Sequence, residues 1–314
     1  MSSRPQDDSL IEISDLGLAR DELCVSAVDA GNSCDALEQG RILLVRDPTF
    51  FKPYTGWEVL RRLPEGALKG KNVAYDSRTG KLSGIRAGTD HEPIRVGMRE
   101  YCAAATRLCE ALLTPYAKRW RIDLTSFRPL EEKSRELPHR ERNDLLHIDS
   151  FPSRPTNGAR ILRCFTNINP VHARVWITSE AINTLPVQLF SSAGLNDVAA
   201  KAKSTKSWYK RVFAPFARLG RTSFPQRSPY DRFMLSLHDH MKSNPPCYPK
   251  AQIHRHEFAP GATWLLFTDG IPHAVIEGQF ALEQTFIVPR SALVRPEHAP
   301  VAFLERLAGT RLTV

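Results

Sequence analysis

A mainly β chain with flanking helices, built round a double-stranded β-helix core of the jelly-roll or cupin-like type, is predicted by three observations. The first is His147-Ile148-Asp149, two potential metal ligands at i and i+2, whose side chains emerge on the same side of an extended segment. The second is the stretch from Phe258 to His273, which reads as a Pro-Gly turn, an apolar strand, a second turn and then His. The third is a pair of strands C-terminal to Asp149: Ala159 to Ile168 reads as a buried strand and Arg174 to Thr178 as another. Strand, H-x-D, strand, strand and a late strand-turn-His is the order in which a jelly roll brings ligands to one mouth. Two His and one carboxylate form the facial triad of non-haem Fe(II) oxygenases, which leaves coordination positions open for co-substrate and O2.

The 314 residues, 42% hydrophobic, suffice for one sizeable core. A single catalytic domain is expected over residues 36–314, preceded by a partly disordered segment 1–35 that is acidic to neutral and sparse in aromatics. The six cysteines include no C-x-x-C pair and suit free thiols in a reducing compartment. The opening is polar and carries Asp7-Asp8, unlike a signal peptide. No apolar run reaches the roughly 18 residues a membrane span requires, so a cytoplasmic protein is expected. The net charge of +9 calls for an anionic partner. No nucleic-acid recognition module or stacking motif is present, so that partner is not expected to be nucleic acid.

In chain order, Arg41 to Arg46 predicts a short strand before Asp-Pro, and Gly56 to Leu63 a helix stopped by Pro64. Asn72 to Tyr75 is a further strand. Met98 to Arg121 carries Cys102, Ala105, Leu108, Cys109 and Leu112 on one face and predicts a helix packed on the sheet. Asp123 to Arg128 predicts a strand ended by Pro129. The charged segment 131–144 predicts a solvated loop at the mouth of the site, with His139 on the surface. Ala281 to Pro289 closes the core as the last strand.

The 123 residues between Asp149 and His273 exceed what the remaining jelly-roll strands need, so a basic helical insertion is expected at about 195–245. From Lys201 to Arg232 it holds nine Lys and Arg against Asp231, interleaved with Trp208, Tyr209, Phe213 and Phe216. That is the pattern of a basic amphipathic segment able to lie on an anionic membrane surface, as well as of a helix with a wet basic face. Tyr230 to Met241 predicts another helix. His238 and His240 point to different faces of it, and the His254/His256 pair lacks a suitably spaced carboxylate beyond Glu257, so neither pair is expected to bind metal.

The stretch His147 to Pro170, with Arg174-Val-Trp176, Gly270-Ile-Pro-His273, Gly40 to Val45, Lys71 to Asp76 and Ser126 to Pro129, resembles the Kdo hydroxylase family over most of the chain beyond about residue 40. The resemblance implies an Fe(II)- and 2-oxoglutarate-dependent dioxygenase that hydroxylates C3 of 3-deoxy-D-manno-oct-2-ulosonic acid (Kdo) on lipid A to give its 3-hydroxy form, Ko. It implies Fe(II), 2-oxoglutarate and O2, with ascorbate in support. It also implies Kdo-lipid A as substrate, and because a lipid-linked sugar stays in the bilayer, the basic stretch from Lys201 to Arg221 is expected to hold the protein peripherally on the cytoplasmic face of the inner membrane. The alternative is a 2-oxoglutarate oxygenase acting on another anionic small molecule or a protein side chain.

On that reading His147, Asp149 and His273 hold the metal, and a cation deeper in the barrel holds the far carboxylate of 2-oxoglutarate. Many enzymes of this superfamily place that cation on the last strand, but here Glu283 and Gln284 stand there. Arg163, a charge on an otherwise apolar strand, is therefore the expected anchor, because a guanidinium fork binds carboxylate bidentately. Arg174 and Trp176 share a strand face, and Asn167 and Asn169 flank Ile168 and point together, one toward the co-substrate and one forming the turn before Pro170, so Arg174, Trp176 and Asn167 are expected beside the co-substrate. Arg128 and Arg174 are the candidates for the sugar carboxylate.

Overall fold

The computed structural model describes residues 9–13, 27–46, 55–133, 137–212, 227–244 and 253–313. The elements, in order, are β1 (Leu10–Ile13), α1 (Ala27–Glu38), β2 (Ile42–Val45), α2 (Thr55–Arg61), β3 (Val73–Asp76), β4 (Lys81–Ser83), α3 (Glu92–Leu112) and β5 (Arg121–Arg128). Then come β6 (Arg160–Asn167), β7 (Arg174–Thr178), α4 (Val187–Ser192), α5 (Leu195–Val212), α6 (Pro229–Ser243), β8 (His254–Phe258), β9 (Thr263–Phe267), β10 (His273–Glu277), β11 (Ala281–Val288) and α7 (Pro300–Ala308).

The strands form an eight-stranded sheet in the order β1-β2-β9-β6-β11-β5-β3-β4 and a three-stranded sheet β10-β7-β8. All eight residues of β6 are buried. The large sheet is covered on both faces, and such a strand reads as a continuous apolar run. On one side Phe165 and Trp264 of the large sheet meet Trp176, Phe258 and Val275 of the small one. On the other, Leu162 and Cys164 join a larger core with residues of α1, α3 and α6. The cavity that holds the site opens between the two sheets.

Helix α3 begins and ends earlier than the Met98 to Arg121 pattern predicts. Pro93 sits at its first turn, where a missing N–H costs nothing, and Leu113 caps its other end two residues before Pro115. Arg121 already belongs to β5. Of the segment 1–35, the described residues 9–13 and 27–35 are tied into the fold. Leu10–Ile13 pairs in parallel with Ile42–Val45, and α1 buries Ala30, Cys34 and Leu37 at i, i+4 and i+7. Glu38, 4% exposed, ties α1 down by accepting from Tyr116 Oη (2.6 Å) and from the backbone N–H groups of Val294 (2.8 Å) and Arg295 (2.6 Å). Residues 1–8, on which the expectation of disorder chiefly fell, lie outside the described residues.

Two devices fix the segments that carry the site. Asp269, in the turn before His273, receives the buried Arg160 guanidinium (Nε to Oδ2 2.9 Å), and a Cβ on Gly270 would meet Arg160 Nη2 at 2.5 Å and force that guanidinium to shift. Helix α6 starts with a capping box in which Ser228 Oγ accepts from Asp231 N (3.1 Å) while Asp231 accepts from the Ser228 N–H (3.3 Å). Asp231 also accepts from Thr156 N (2.7 Å), so the insertion is fastened to the loop after Asp149.

Candidate metal centre

His147 and His273 meet because their backbones form an isolated antiparallel bridge: His147 N donates to His273 O (3.1 Å) and His273 N to His147 O (2.8 Å). Asp149 comes two residues later, its N–H donating to Thr268 O (2.8 Å), and its side chain turns the same way as that of His147. One ligand atom from each of the three lies within 4.8 Å of the others. His147 Nδ1 faces Leu145 O at 2.7 Å and His273 Nδ1 faces Ile271 O at 2.9 Å. A carbonyl oxygen only accepts, so both Nδ1 atoms carry the proton and both Nε2 lone pairs are left for a cation. Those Nε2 atoms stand 4.0 Å from Asp149 Oδ1 and 3.9 Å from Oδ2.

The residues present fit a divalent metal. Asp149 Oδ2 is buried without a hydrogen bond, although Arg163 Nε approaches it at 2.9 Å. The N–H is not aimed at the oxygen, so the contact is ionic and the carboxylate keeps a lone pair for a metal. Burial opposes ionisation of Asp149, but the Arg163 charge and the two imidazoles hold its carboxyl far below the usual range. His147 and His273 are both held below the ordinary imidazole value, chiefly by burial, with His273 adding to the effect on His147.

Metal uptake is therefore expected to displace no proton near neutrality, because all three ligands are already in their binding form. Co(II) affinity should stay level from about pH 8 down to about pH 6.5, whereas release of one proton per metal in calorimetry would contradict this arrangement. For the metal-free protein the sign is opposite to that of a paired histidine. The folded-state values are depressed, so this contribution to stability is present above about pH 6.5 and is lost as pH falls through that range.

The triad opens into a cavity of about 560 Å³. Its floor holds Arg128, Arg163, Phe165 and Trp176, and Phe151 stands beside Arg163 with its ring centroid 5.5 Å from that guanidinium. Trp176 stacks on His273 with centroids 5.3 Å apart and planes 14° from parallel. Glu283 of β11, 2% exposed, accepts from Arg163 Nη1 (2.5 Å) and from Arg128 Nε (3.0 Å) and Nη2 (2.5 Å). Where many enzymes of this superfamily carry a cation, the last strand here carries a carboxylate that holds two arginines from its neighbours β6 and β5.

Arg174 and Asn167, expected beside the co-substrate, are not among the residues that line the cavity. Arg174 is fully buried, donating from Nη1 to Gly278 O (2.9 Å) with Nη2 3.5 Å from Glu132, and burial brings its value down to about 10. Asn167 is fully buried and donates to His172 O (2.9 Å) and Phe258 O (3.0 Å), tying down the turn before β7. Arg174 and Trp176 do not share the cavity because only Trp176 turns into it. The 131–144 loop is also less solvated than expected. Glu132 is 6% exposed, and Asn143 lines the cavity, while His139 is exposed as anticipated.

Sequence reasoning missed the part of the lining formed by Leu235, His238, Asp239 and Lys242 of α6, with Lys71 and Asn72 just before β3. The available signal was the spacing i, i+3, i+4, i+7 of the four α6 residues, which puts them on one stripe. His238 Nδ1 donates to Ile148 O (2.6 Å), the peptide between two triad residues, and its ring meets that of His147 edge-on at 5.0 Å. His238→Ala is expected to weaken Co(II) binding by about 10–100-fold, the usual effect of losing an outer partner of a metal ligand. An unchanged cobalt titration would show that the 148 backbone holds its place without it. His256 is no rival ligand, since its Nε2 is 2.8 Å from Thr178 Oγ1, away from the cavity.

Residues 22–311 match the family model described as 3-deoxy-D-manno-oct-2-ulosonic acid (Kdo) hydroxylase. Among solved structures, the Kdo hydroxylase KdoO, a non-haem Fe(II) α-ketoglutarate-dependent dioxygenase, in complex with α-ketoglutarate and Fe(III), superposes with a TM-score of 0.76 at 29% identity, covering 97% of both chains. Its cobalt(II) complex gives 0.77 at 29% identity and its apo form 0.74 at 30%, each again over 97% of both chains. No curated protein sequence matches the chain.

Proposed function

Because this chain belongs to the Kdo hydroxylase family, we propose that it is an Fe(II)- and 2-oxoglutarate-dependent dioxygenase that hydroxylates Kdo at C3, acting on Kdo linked to lipid A. The single observation that carries the reading is the juxtaposition of His147, Asp149 and His273 at the head of a cavity with a cationic floor. Bound iron, with 2-oxoglutarate and O2, supplies the oxidation that replaces C–H by C–OH while 2-oxoglutarate becomes succinate and CO2.

The protein supplies position and charge. His147, Asp149 and His273 would hold the metal, the Nδ1 donors of the two histidines and the Arg163 contact fixing each ligand's orientation. The far carboxylate of 2-oxoglutarate is held by the guanidinium floor. Arg163 is turned toward both Asp149 and Glu283, so it orients a metal ligand as well, while Arg128 meets Glu283 through Nε and Nη2 and leaves Nη1 uncommitted. Trp176 and Phe165 give the cavity lining an apolar aromatic surface beside the triad. Mass spectrometry of lipopolysaccharide from cells with and without the gene tests the reading. A gain of one oxygen on Kdo is expected, and its absence in expressing cells would remove the assignment.

No helix among the described residues is long and apolar enough to cross a membrane, yet a lipid-linked substrate stays in the bilayer. Helix α5 buries Leu195, Ala199 and Ala202 on one side and exposes Lys201 and Lys203. The side chains of Trp208, Tyr209, Lys206, Lys210 and Arg211, and residues 213–226, lie outside the described residues. We take this basic stretch as the part that docks on an anionic membrane surface, at about 1 kcal/mol per cation. The combined change K206E, K210E and R211E is expected to reduce co-sedimentation with anionic vesicles sharply at low salt while Co(II) affinity holds. Vesicle binding equal to the parent's would leave the stretch as a solvated helix face.

A further inference from the structure

We propose that Lys242 of α6, with Lys71 lining the same cavity, receives the carboxylate of the sugar acid and sets the preference for an acid over its neutral derivatives. The proposal rests on the reading of the chain as a sugar-acid hydroxylase. Lys242 is 3% exposed and lines the same cavity as the triad, on the α6 stripe that also carries Leu235, His238 and Asp239. Burial, and then the Lys71 charge, lower its value to about 8, while Asp149, Asp239 and Asp144 pull the other way. Lys71, half-buried, donates to Glu141 O (2.8 Å), which holds its ammonium at this wall. Two cations close enough to lower the affinity of one for its proton make a place where an anion relieves both costs.

The lining carries the cations Lys71, Arg128, Arg163 and Lys242 against Asp149 and Asp239, with Glu283 shared by the two arginines and Asp144 acting on Lys242. A divalent metal and the dianion 2-oxoglutarate cancel each other, so the carboxylate of the substrate is met by the cations of the lining itself. Connectivity places that carboxylate near the metal. In Kdo it sits on C2, the neighbour of C3, so its cation belongs to the same chamber as the oxidised carbon. The two arginines share Glu283 and Arg163 also faces Asp149, while Lys242 lines the same cavity from α6.

The test uses Co(II)-loaded protein with 2-oxoglutarate and two phosphate-free probes, a simple alkyl glycoside of Kdo and its C1 methyl ester. The parent should bind the acid more tightly than the ester. Lys242→Met should weaken acid binding by about tenfold or more, the worth of a charged hydrogen bond. Ester binding should scarcely change, and Lys242→Arg should restore part of the preference. Thermal melting and the Co(II) and 2-oxoglutarate affinities report whether each variant is folded. If K242M, folded by those measures, still prefers the acid as the parent does, the proposal is overturned. It is equally overturned if only a phosphorylated, lipid-linked substrate responds to the change, since the lysine then reads phosphate. If the folded parent binds neither glycoside and adds no oxygen to lipid-linked Kdo, the failure lies in the functional reading itself.

Discussion

Replacing His147, Asp149 or His273 by Ala is expected to abolish substrate-dependent succinate formation and to lower metal affinity by more than about 100-fold. The bound is set by the outer partners of metal ligands, whose loss alone costs up to about that much. The three do not contribute alike. Loss of either His removes a neutral nitrogen whose lone pair is already presented by its Nδ1 bond to Leu145 O or Ile271 O. Loss of Asp149 also removes the charge that Arg163 faces at 2.9 Å, so Asp149→Ala leaves that guanidinium with Glu283 alone. Asp149→Asn keeps the shape and should still bind weakly, which separates the missing charge from the missing oxygen. His256→Ala serves as control, since its ring lies at Thr178 in the small sheet. Full cobalt affinity in H273A, with a loss in H256A, would move the third ligand to β8.

How far the site was legible in the sequence depends on whether its parts lie in local patterns. His147 and Asp149 are two residues apart on an extended segment, and His273 comes after a turn, strand and turn, so backbone periodicity alone brings their side chains to one mouth. Arg163 was legible because a charge on an apolar strand is costly without a partner. The identity of that partner was not, because Glu283 on β11 meets Arg163 only through the pairing of Thr285 with Arg163 across the sheet, 120 residues apart in the chain. Read locally, Glu283 is a missing cation; in the sheet it is the counter-charge for two arginines. Arg174 shows the converse. Its strand alternation with Trp176 is real, but Gly278 O and Glu132 draw it away from the cavity, and no local pattern announces either. Helix α1 escaped notice because Gly31 and Asn32 are poor helix formers, and packing against the large sheet outweighs that propensity.

The guanidinium floor gives the second large effect. Arg163→Ala is expected to raise the KM for 2-oxoglutarate by well over tenfold, since losing one side of a buried charge pair costs about 2–5 kcal/mol. It should weaken Co(II) binding as well, because Asp149 loses the charge that keeps it ionised and oriented. Arg128→Ala should raise the same KM without changing cobalt affinity, because its bonds run to Glu283 and none reaches a ligand of the triad. Glu283→Ala separates structure from binding. It leaves both guanidiniums buried without their shared acceptor, a change of the kind that costs about 3–5 kcal/mol in stability. The melting temperature should fall accordingly. Addition of 2-oxoglutarate should then restore more stability to E283A than to the parent, because a dianion on the floor replaces the missing carboxylate. Unchanged KM in both arginine variants would place the anchor outside the floor. Arg290 is a poor substitute there, since it is largely exposed and faces Glu305 at 3.9 Å.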